Sequence, residues 1–215
     1  MTLARSTTMY YETVRYEILP LLPPQADRVL EVGCAEGNTL AWIKSIRGCS
    51  WIGGVELINE VAERARTRVD EVYLGNIETM DLPLEKSSLD MVLCLDVLEH
   101  LIDPWGQIGR LHRLLKPGGV LIASIPNIRH YSIIYQLLFN GSWNYRQDGL
   151  LDKTHLRFFT RSTAIQLVEC SGLRVDMVID TRIKRRRDMY ADKITFSIFK
   201  AFFEYQYLIR AHRID

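Results

Sequence analysis

Short apolar runs alternate with helix-like segments between residues 27 and 126, and this alternation restricts the possible folds more than any other feature of the sequence. The apolar runs favour buried strands, whereas the segments between them carry apolar residues at helical spacing. Such βαβ units build a parallel sheet that is covered on both faces. The sequence predicts strands at Arg28–Gly33, Trp51–Glu56, Glu71–Leu74, Ser88–Leu95 and Val120–Ile125, with helices at Asn38–Ile46, Asn59–Val69 and Pro104–Leu115 and a turn at Lys116–Gly119.

The C-terminal half departs from this alternation. Residues Pro126–Phe159 are aromatic and basic with weak periodicity, which indicates an insertion. Thr160 is expected to cap a helix that ends before Gly172. Two further strands, Leu173–Ile179 and Tyr205–Ala211, follow without an ordinary crossover. The predicted fold is therefore α/β, a doubly wound, Rossmann-like sheet of seven mostly parallel strands that ends in an antiparallel pair.

Composition excludes several classes of protein. A net charge of +1 and a pI near 7.7 give no overall attraction to nucleic acid. No apolar stretch approaches the roughly 18 residues that a membrane span requires. The four cysteines are widely spaced and form no CxxC pair, which indicates reduced thiols in a cytoplasmic protein.

The turn after the first strand, in LEVGCAEGN, is short and nearly free of side chains. Gly33 permits a tight exit from the strand and Gly37 lets the backbone approach a ligand, so we expect an adenosine-type cofactor across this turn. The dinucleotide pattern GxGxxG is not met, because Ala35 and Asn38 stand where glycines are needed. Glu56 ends the second strand 23 residues after Gly33, where a carboxylate is expected to accept both ribose hydroxyls.

The chain resembles the class I S-adenosylmethionine-dependent methyltransferases. The resemblance rests on LEVGCAEG, GVE, GNIE, LDMVLCLDVLEHL and LLKPGG, which occur in the order and spacing of that family over roughly residues 27–173. IPNIRHY, GLLDKTHLRFFT and FEYQYLIRA are similar to a bacterial branch associated with the synthesis of cell-surface glycans. The resemblance implies a methyl transfer from S-adenosylmethionine to a small-molecule or saccharide acceptor, most simply at oxygen.

The resemblance also implies roles for individual residues. The methionine moiety would contact the first turn and the end of the fourth strand, the ribose the end of the second strand, and the adenine the loop after the third. In that order, the implied cofactor-binding residues are Glu31, Gly33, Cys34, Ala35, Gly37, Leu95 and Asp96, then Glu56 and Leu57, then Asn76 and Ile77. Ala35 departs from the commonest glycine, and helix capping is the alternative role for Asp96.

A hydroxyl acceptor benefits from a general base, and two histidines are candidates for it. His100 lies in DVLEHL, just after the fourth strand, and His155 lies in DKTHLRFFT. An imidazole titrates near neutrality, which suits proton removal. The alternative is that either histidine only fixes loop geometry by hydrogen bonding.

Asp96, Glu99 and His100 are also a combination that could hold a divalent ion. Some family members with a Glu-x-x-Glu-His segment use magnesium in this region. Here the first residue is aspartate, and acidic residues favour the positive start of a helix. The sequence therefore predicts a helix start and no metal.

The insertion is rich in planar and cationic side chains, which suit the binding of sugars, bases and phosphates. We expect it to cover the acceptor, and the alternative is a structural cap. The predicted substrate-binding residues are Arg129, His130, Tyr131, Trp143, Tyr145 and Arg157.

The chain is thus predicted to contain four parts. Residues 1–26 form an N-terminal helical lid that includes Tyr10 and Tyr11, and 27–126 form the cofactor-binding core. Residues 127–159 form the substrate cap, and 160–215 complete the sheet, with a basic and aromatic excursion at 183–204. The basic run Lys184–Arg187 favours a solvated loop, and the aromatic segment after it could pack on the sheet, form a homodimer or contact a membrane surface.

Two other functions stay open at the level of sequence. A nicotinamide-dependent oxidoreductase shares the sheet, although the chain has no Tyr-x-x-x-Lys pair of the short-chain dehydrogenase type. A catalytically silent module that retains the cofactor pocket is the other alternative.

Overall fold

A computed structural model describes residues 11–181 and 200–215 of the chain. Seven strands form one sheet in the order β3-β2-β1-β4-β5-β7-β6. The strands are β1 (Arg28–Val32), β2 (Trp51–Glu56), β3 (Glu71–Leu74), β4 (Leu89–Leu95), β5 (Leu115–Pro126), β6 (Leu173–Thr181) and β7 (Gln206–Arg213). The predicted α/β sheet is therefore confirmed.

The direction of the strands identifies the edge on which a ligand would bind. Strands β1 to β5 run parallel to one another, and β7 runs antiparallel to both β5 and β6. The strand order reverses between β1 and β4, which both end at the same edge. In open α/β sheets, ligands bind beyond the carboxyl ends of the strands at this reversal.

The helices lie where the sequence allows them to begin and end. Asp103 caps one with its carboxylate on the Gly106 N–H, and Thr160 caps another in a capping box with Thr163. The helices are α1 (Asn38–Arg47), α2 (Asn59–Ala65), α3 (Pro104–Leu114), α4 (Tyr131–Asn140), α5 (Arg161–Glu169) and α6 (Lys200–Phe203), with 3₁₀ turns at Tyr16–Leu21 and Leu98–His100.

Apolar side chains cover both faces of the sheet. Neighbouring residues of one strand, such as Val29 and Leu30 in β1, belong to separate fully buried clusters on opposite faces. A third, smaller cluster joins Ile133 of α4 to Leu150 and Leu151. Residues 127–159 therefore have an apolar centre of their own beside the ligand edge.

Three local predictions differ from the structure. Helix α2 ends at Ala65 instead of Val69. The predicted turn at Lys116–Gly119 lies inside β5 as an irregularity in its pairing with β4, where Gly118 has a φ of 76°. The insertion contains the ten-residue helix α4, which periodicity did not predict.

Two predictions lie outside the described residues, namely those on Tyr10 and on Lys184–Arg187. Of the predicted excursion at 183–204, the structure describes only residues 200–204, which include α6. Within residues 11–181 and 200–215, none of the helices is long and apolar enough to cross a membrane.

Candidate active site

The turn between β1 and α1 depends on an unusual backbone conformation. Gly33, Ala35 and Gly37 all have positive φ values, of 70°, 50° and 78°. A Cβ at Gly33 would lie 2.7 Å from Val97 Cγ2, and one at Gly37 would lie 2.7 Å from Val69 Cγ1. The two glycines are thus required by conformation and by close packing within the protein. Close packing against Val69 is by itself a reason for glycine at position 37, and the approach of a ligand to its backbone stays a prediction.

Glu56 holds this turn through main-chain hydrogen bonds. Its Oε2 accepts from the Ala35 N–H at 3.0 Å, and its Oε1 accepts from the N–H groups of Leu57 and Ile58, each at 2.9 Å. The side chain is buried. A carboxylate is therefore fixed at the end of β2 and directed toward the glycine turn, where the sequence predicted a ribose-binding group.

Glu31 is a second buried carboxyl group at this edge. Burial raises the pKa of Glu31 to about 8; the charge of Arg15 opposes this rise and that of Glu56 adds to it. Its Oε2 has no hydrogen-bond partner among the described residues. An unpaired buried carboxyl group is costly, so this group is suited to a cationic partner.

Glu36 lies in the same turn but is already paired. Its buried carboxylate contacts Arg64 Nε at 2.5 Å and Arg68 at 3.7 Å. Glu36 therefore ties the turn to α2 and the loop that follows it.

Asp96, at the end of β4, is the centre of a polar network. It has a φ of 56°. Its carboxylate accepts hydrogen bonds from Ser124 Oγ at 2.8 Å, from Arg15 Nη1 at 2.5 Å and from Gln206 Nε2. These contacts do not cap a helix, so the capping alternative for Asp96 is not what the structure contains.

The N-terminal segment crosses above this edge. Asn38 donates to the carbonyl of Glu12 at 3.2 Å, and the Arg15 N–H donates to Thr39 Oγ1 at 3.3 Å. Burial raises the pKa of Tyr11, and the charge of Glu56 at the end of β2 raises it further. Residues 11–15 thus lie over the turn and over Asp96.

The other predicted cofactor residues border the same edge. Leu95 and Ile77 are buried, whereas Leu57 and Asn76 are exposed. The side chain of Cys34 is buried against Gly54. The parallel sheet therefore brings together the turn and the ends of β2, β3 and β4, as the sequence predicted.

The Glu99 cluster, formed by Glu99, His100 and His155, lies one turn beyond Asp96. One potential ligand atom from each residue lies within 4.8 Å of the others. The two imidazole rings are edge to face with centroids 4.7 Å apart, and His155 Nε2 is 4.0 Å from Glu99 Oε1. The two histidines that the sequence proposed separately therefore form one site with Glu99.

Main-chain hydrogen bonds hold this cluster together. The carbonyl of Glu99 accepts from the N–H groups of Leu156 and Arg157, at 2.8 and 3.0 Å. His155 directly precedes the two residues that these bonds fix. Two segments more than fifty residues apart in sequence are therefore joined at the cluster itself.

Burial controls the charges of the cluster. It raises the pKa of Glu99 well above the ordinary value, and Asp96 raises it further. Burial lowers the pKa of His155, and His100 lowers it further. Both net pKa shifts disfavour the charged forms, because the charge of Arg15 near Glu99 and those of Asp152 and Asp96 near His155 offset burial only in part.

The predicted substrate residues are divided by the structure. His130 caps α4, and Tyr131 stacks near Phe203 with ring centroids 5.6 Å apart. Trp143 contacts Phe158 edge to face at 5.2 Å and also approaches Tyr145, which is exposed.

The two arginines of this set interact with different partners within the protein. The guanidinium of Arg129 lies over the Phe202 ring at 4.9 Å. Arg157 instead donates to the carbonyl of Ile102 at 3.1 Å and stacks on Trp105. These two residues therefore do not converge on one ligand.

A cavity of about 570 Å³ opens between α4 and the residues that follow it. Tyr131, Tyr135 and Arg146 are among its lining residues, and none of the Glu99 cluster lines it. None of the catalytic candidates therefore contributes to this cavity.

Sequence reasoning missed two contributors to the site. It did not single out Arg15, whose partner Asp96 is 81 residues away, and it did not join Glu99 to His155. No local signal marks either pairing, because both depend on how distant segments meet in the fold.

The fold and the donor edge define a class of protein. A seven-stranded sheet with one reversed strand, a glycine turn after β1 and an acidic residue at the end of β2 are the features of the class I S-adenosylmethionine-dependent methyltransferases. The chain matches the model of the methyltransferase-domain family over residues 9–178 and belongs to that family. The cofactor of such enzymes is S-adenosylmethionine.

Individual relatives agree with this assignment. The chain is 28% identical over 148 residues to a Mycolicibacterium smegmatis protein named for S-adenosylmethionine-dependent methyl transfer, covering 69% of this chain and 52% of the relative. It is 32% identical over 168 residues to the ubiquinone biosynthesis O-methyltransferase of Paracidovorax citrulli, covering 71% and 69%. A methyltransferase structure from Mesorhizobium loti has a TM-score of 0.66 at 16% identity, covering 92% and 96%.

These comparisons favour the methyltransferase class over the oxidoreductase alternative. The chain spans between 37% and 52% of the length of three curated relatives that it matches.

Proposed function

We propose that this protein transfers a methyl group from S-adenosylmethionine to a hydroxyl oxygen of a small-molecule acceptor. The observation that carries the proposal is the position of the Glu99 cluster, one turn beyond Asp96 at the ligand edge of the sheet. A neutral amine needs no proton removal before it attacks a methyl group, whereas a hydroxyl does. The named O-methyltransferase activity of the Paracidovorax citrulli relative supports the same acceptor chemistry.

The donor edge complements the charges of S-adenosylmethionine. Glu31 is suited to the ammonium group, because its Oε2 is buried and unpaired among the described residues. Arg15 is suited to the carboxylate, exchanging its contact with Asp96 for one with the donor. Glu56 is suited to the ribose, and the loop at Asn76 and Ile77 to the adenine.

The reaction requires that the acceptor is positioned against the methyl group and that its hydroxyl proton is removed. The acceptor hydroxyl loses its proton at the Glu99 cluster, and its oxygen forms a bond to the methyl carbon. The carbon–sulfur bond breaks with its electron pair on sulfur, which leaves S-adenosylhomocysteine. Alignment of the oxygen with the methyl group supplies much of the rate, as for other oriented reactions.

The predicted saccharide acceptor, with its association to glycan synthesis, stays a prediction. The exposed ring of Tyr145 and the half-buried ring of Trp143 support it, because aromatic faces stack on sugars. The predicted division of the chain is part of the same proposal, with residues 127–159 as the acceptor cap.

Isotope-labelled S-adenosylmethionine with a panel of phenols, saccharides and amines tests the proposal. We expect label in a methyl ether, and we expect His155→Asn to reduce it while S-adenosylhomocysteine still binds. Label found on nitrogen, in an amount that His155→Asn does not change, would contradict O-methylation. Binding of the donor without transfer to any acceptor would favour the silent module.

A further inference from the structure

We propose that Glu99, His100 and His155 bind a divalent metal ion at the acceptor side of the active site. At the level of sequence, the candidate ligands were Asp96, Glu99 and His100, and the prediction was a helix start without a metal. In the structure Asp96 is engaged by Arg15, Ser124 and Gln206, and His155 is the third member of the cluster instead. The role of the ion, though not its binding, rests on the O-methyl transfer proposed above.

The hydrogen bonds of the two histidines orient their free nitrogens. His155 Nδ1 lies 3.3 Å from the carbonyl of Leu150, and His100 Nδ1 lies 3.2 Å from the carbonyl of Thr154. A carbonyl oxygen can only accept, so Nδ1 carries the proton in both rings. The Nε2 atom of each ring is therefore the one with a free lone pair, as in metal sites whose ligands are oriented by carbonyl groups.

A second layer of contacts fixes His100 further. Thr154 Oγ1 donates to Asp152 Oδ1 at 2.6 Å and therefore accepts from His100 Nδ1 at 3.0 Å. This chain from Asp152 through Thr154 to His100 holds the tautomer in which Nε2 is free. It also makes the ring a better ligand, because a carboxylate lies at its far end.

Glu99 is the residue that most requires a cation. Its side chain is 1% exposed, and within the described part of the chain neither carboxylate oxygen has a hydrogen-bond partner. The separation of 4.0 Å from His155 Nε2 is too long for a direct hydrogen bond. A simple Glu–His pair therefore does not satisfy this carboxylate, whereas an ion between the three residues would.

The donor set indicates which ions fit. Two imidazoles and one carboxylate suit Zn²⁺, Mn²⁺, Fe²⁺ or Co²⁺ better than Mg²⁺, which prefers oxygen ligands. Ligand bonds of about 2.1 Å would draw the three donor atoms slightly closer than they are now. Three protein ligands leave a coordination position open for an acceptor oxygen.

Such an ion would supply Lewis-acid chemistry. It would stabilise the anionic form of the acceptor hydroxyl, so the hydroxyl proton would pass more readily to solvent water at neutral pH. The ion is neither oxidised nor reduced. The two histidines then act as ligands and not as the direct proton acceptors that the sequence suggested.

Calorimetric titration of chelator-treated, full-length protein with Zn²⁺ and with Mn²⁺ tests the site, and the absorption spectrum of added Co²⁺ reports its geometry. We expect one ion per chain. Affinity should fall by more than about 10- to 100-fold, the loss typical when only a partner of a ligand is removed, in His155→Asn and in the nearly isosteric Glu99→Gln. His212→Ala, which alters a histidine on β7 beside Asp176, should bind the ion as the wild type does.

Two results would overturn the proposal. One is the absence of saturable binding of these ions to the folded wild type. The other is equal affinity in the wild type, Glu99→Gln and His155→Asn. Methyl-ether formation by chelated protein at the full rate would remove the ion from catalysis and leave the proposed O-methyl transfer intact. Metal binding at the cluster without any methyl transfer would instead contradict the proposed function and support the metal site.

Discussion

The donor edge and the acceptor edge of this active site are built in different ways. At the donor edge, Glu56 accepts three main-chain hydrogen bonds from residues of the adjoining turns. Gly33 packs so closely against Val97 that no side chain fits between them. At the acceptor edge, the buried oxygens of Glu99 lack hydrogen-bond partners in the described part of the chain, and His155 arrives from a distant loop. The donor edge is therefore preformed. The acceptor edge instead has polar groups that a metal ion and an acceptor are suited to bind.

The largest effect should come from the acceptor edge. His155→Asn is expected to lower turnover by about 10²- to 10⁴-fold, the range for loss of assisted proton removal. The affinity for S-adenosylhomocysteine should change little, because the donor contacts lie at the other edge. Steady-state methyl transfer and calorimetry measure the two quantities, with His212→Ala as the control. A parallel loss of turnover and donor affinity would show that the edges are not separate.

The next effect should come from Glu56. Glu56→Ala removes the group proposed for the ribose hydroxyls and the acceptor of the Ala35 N–H, so we expect donor affinity to fall about 10- to 100-fold. Glu60→Ala, at an exposed position of α2, is the matched control. Unchanged affinity in Glu56→Ala would remove this residue from the donor edge.

Comparison of Gly33→Ala with Gly48→Ala separates backbone conformation from close packing. Both glycines have a φ of 70°, but a Cβ at Gly33 meets Val97 whereas one at Gly48 meets nothing within 4 Å. We expect Gly48→Ala to lower the free energy of unfolding by about 1 kcal/mol and Gly33→Ala by about 2–3 kcal/mol. Denaturant unfolding measures both. Adding Val97→Ala should recover part of the loss at Gly33, and equal losses at the two glycines would argue against the packing contact.

The last effect, that of Glu31, is on the pH dependence of stability. Its pKa is about 8 in the fold against an ordinary value of 4.5. Between these values the folded protein retains a proton that the unfolded chain has released. The free energy of unfolding should therefore fall with rising pH across this window, by at most about 1.4 kcal/mol per pH unit from this group. Glu31→Gln should flatten the slope in urea unfolding, and an unaltered slope would contradict the burial argument.

The same contrast explains what could be predicted from the sequence. The donor edge depends on short-range patterns, so Gly33 and Glu56 could be proposed from the spacing of strands and turns, and the end of β4 from the resemblance to the family. The Arg15–Asp96 pair joins residues 81 positions apart, and His100 meets Thr154 across 54 positions. Only the assembled sheet determines such contacts.

Helix α4 was missed for another physical reason. Its sequence, YSIIYQLLFN, has polar residues only at Ser132, Gln136 and Asn140, so the polar stripe is narrow and the helical period is weak. Leu138 and Phe139 are 71% and 73% exposed, while Ile133 is buried. The burial of α4 therefore depends on its neighbours and not on its own pattern.

Calorimetric titration with S-adenosylhomocysteine of the wild type, Glu56→Ala and His155→Asn tests most directly whether the two edges act separately. The separate-edge account predicts one-site binding in the wild type, weakened binding in Glu56→Ala and near wild-type binding in His155→Asn. Absence of binding in the folded wild type, or equal weakening in both variants, would contradict it.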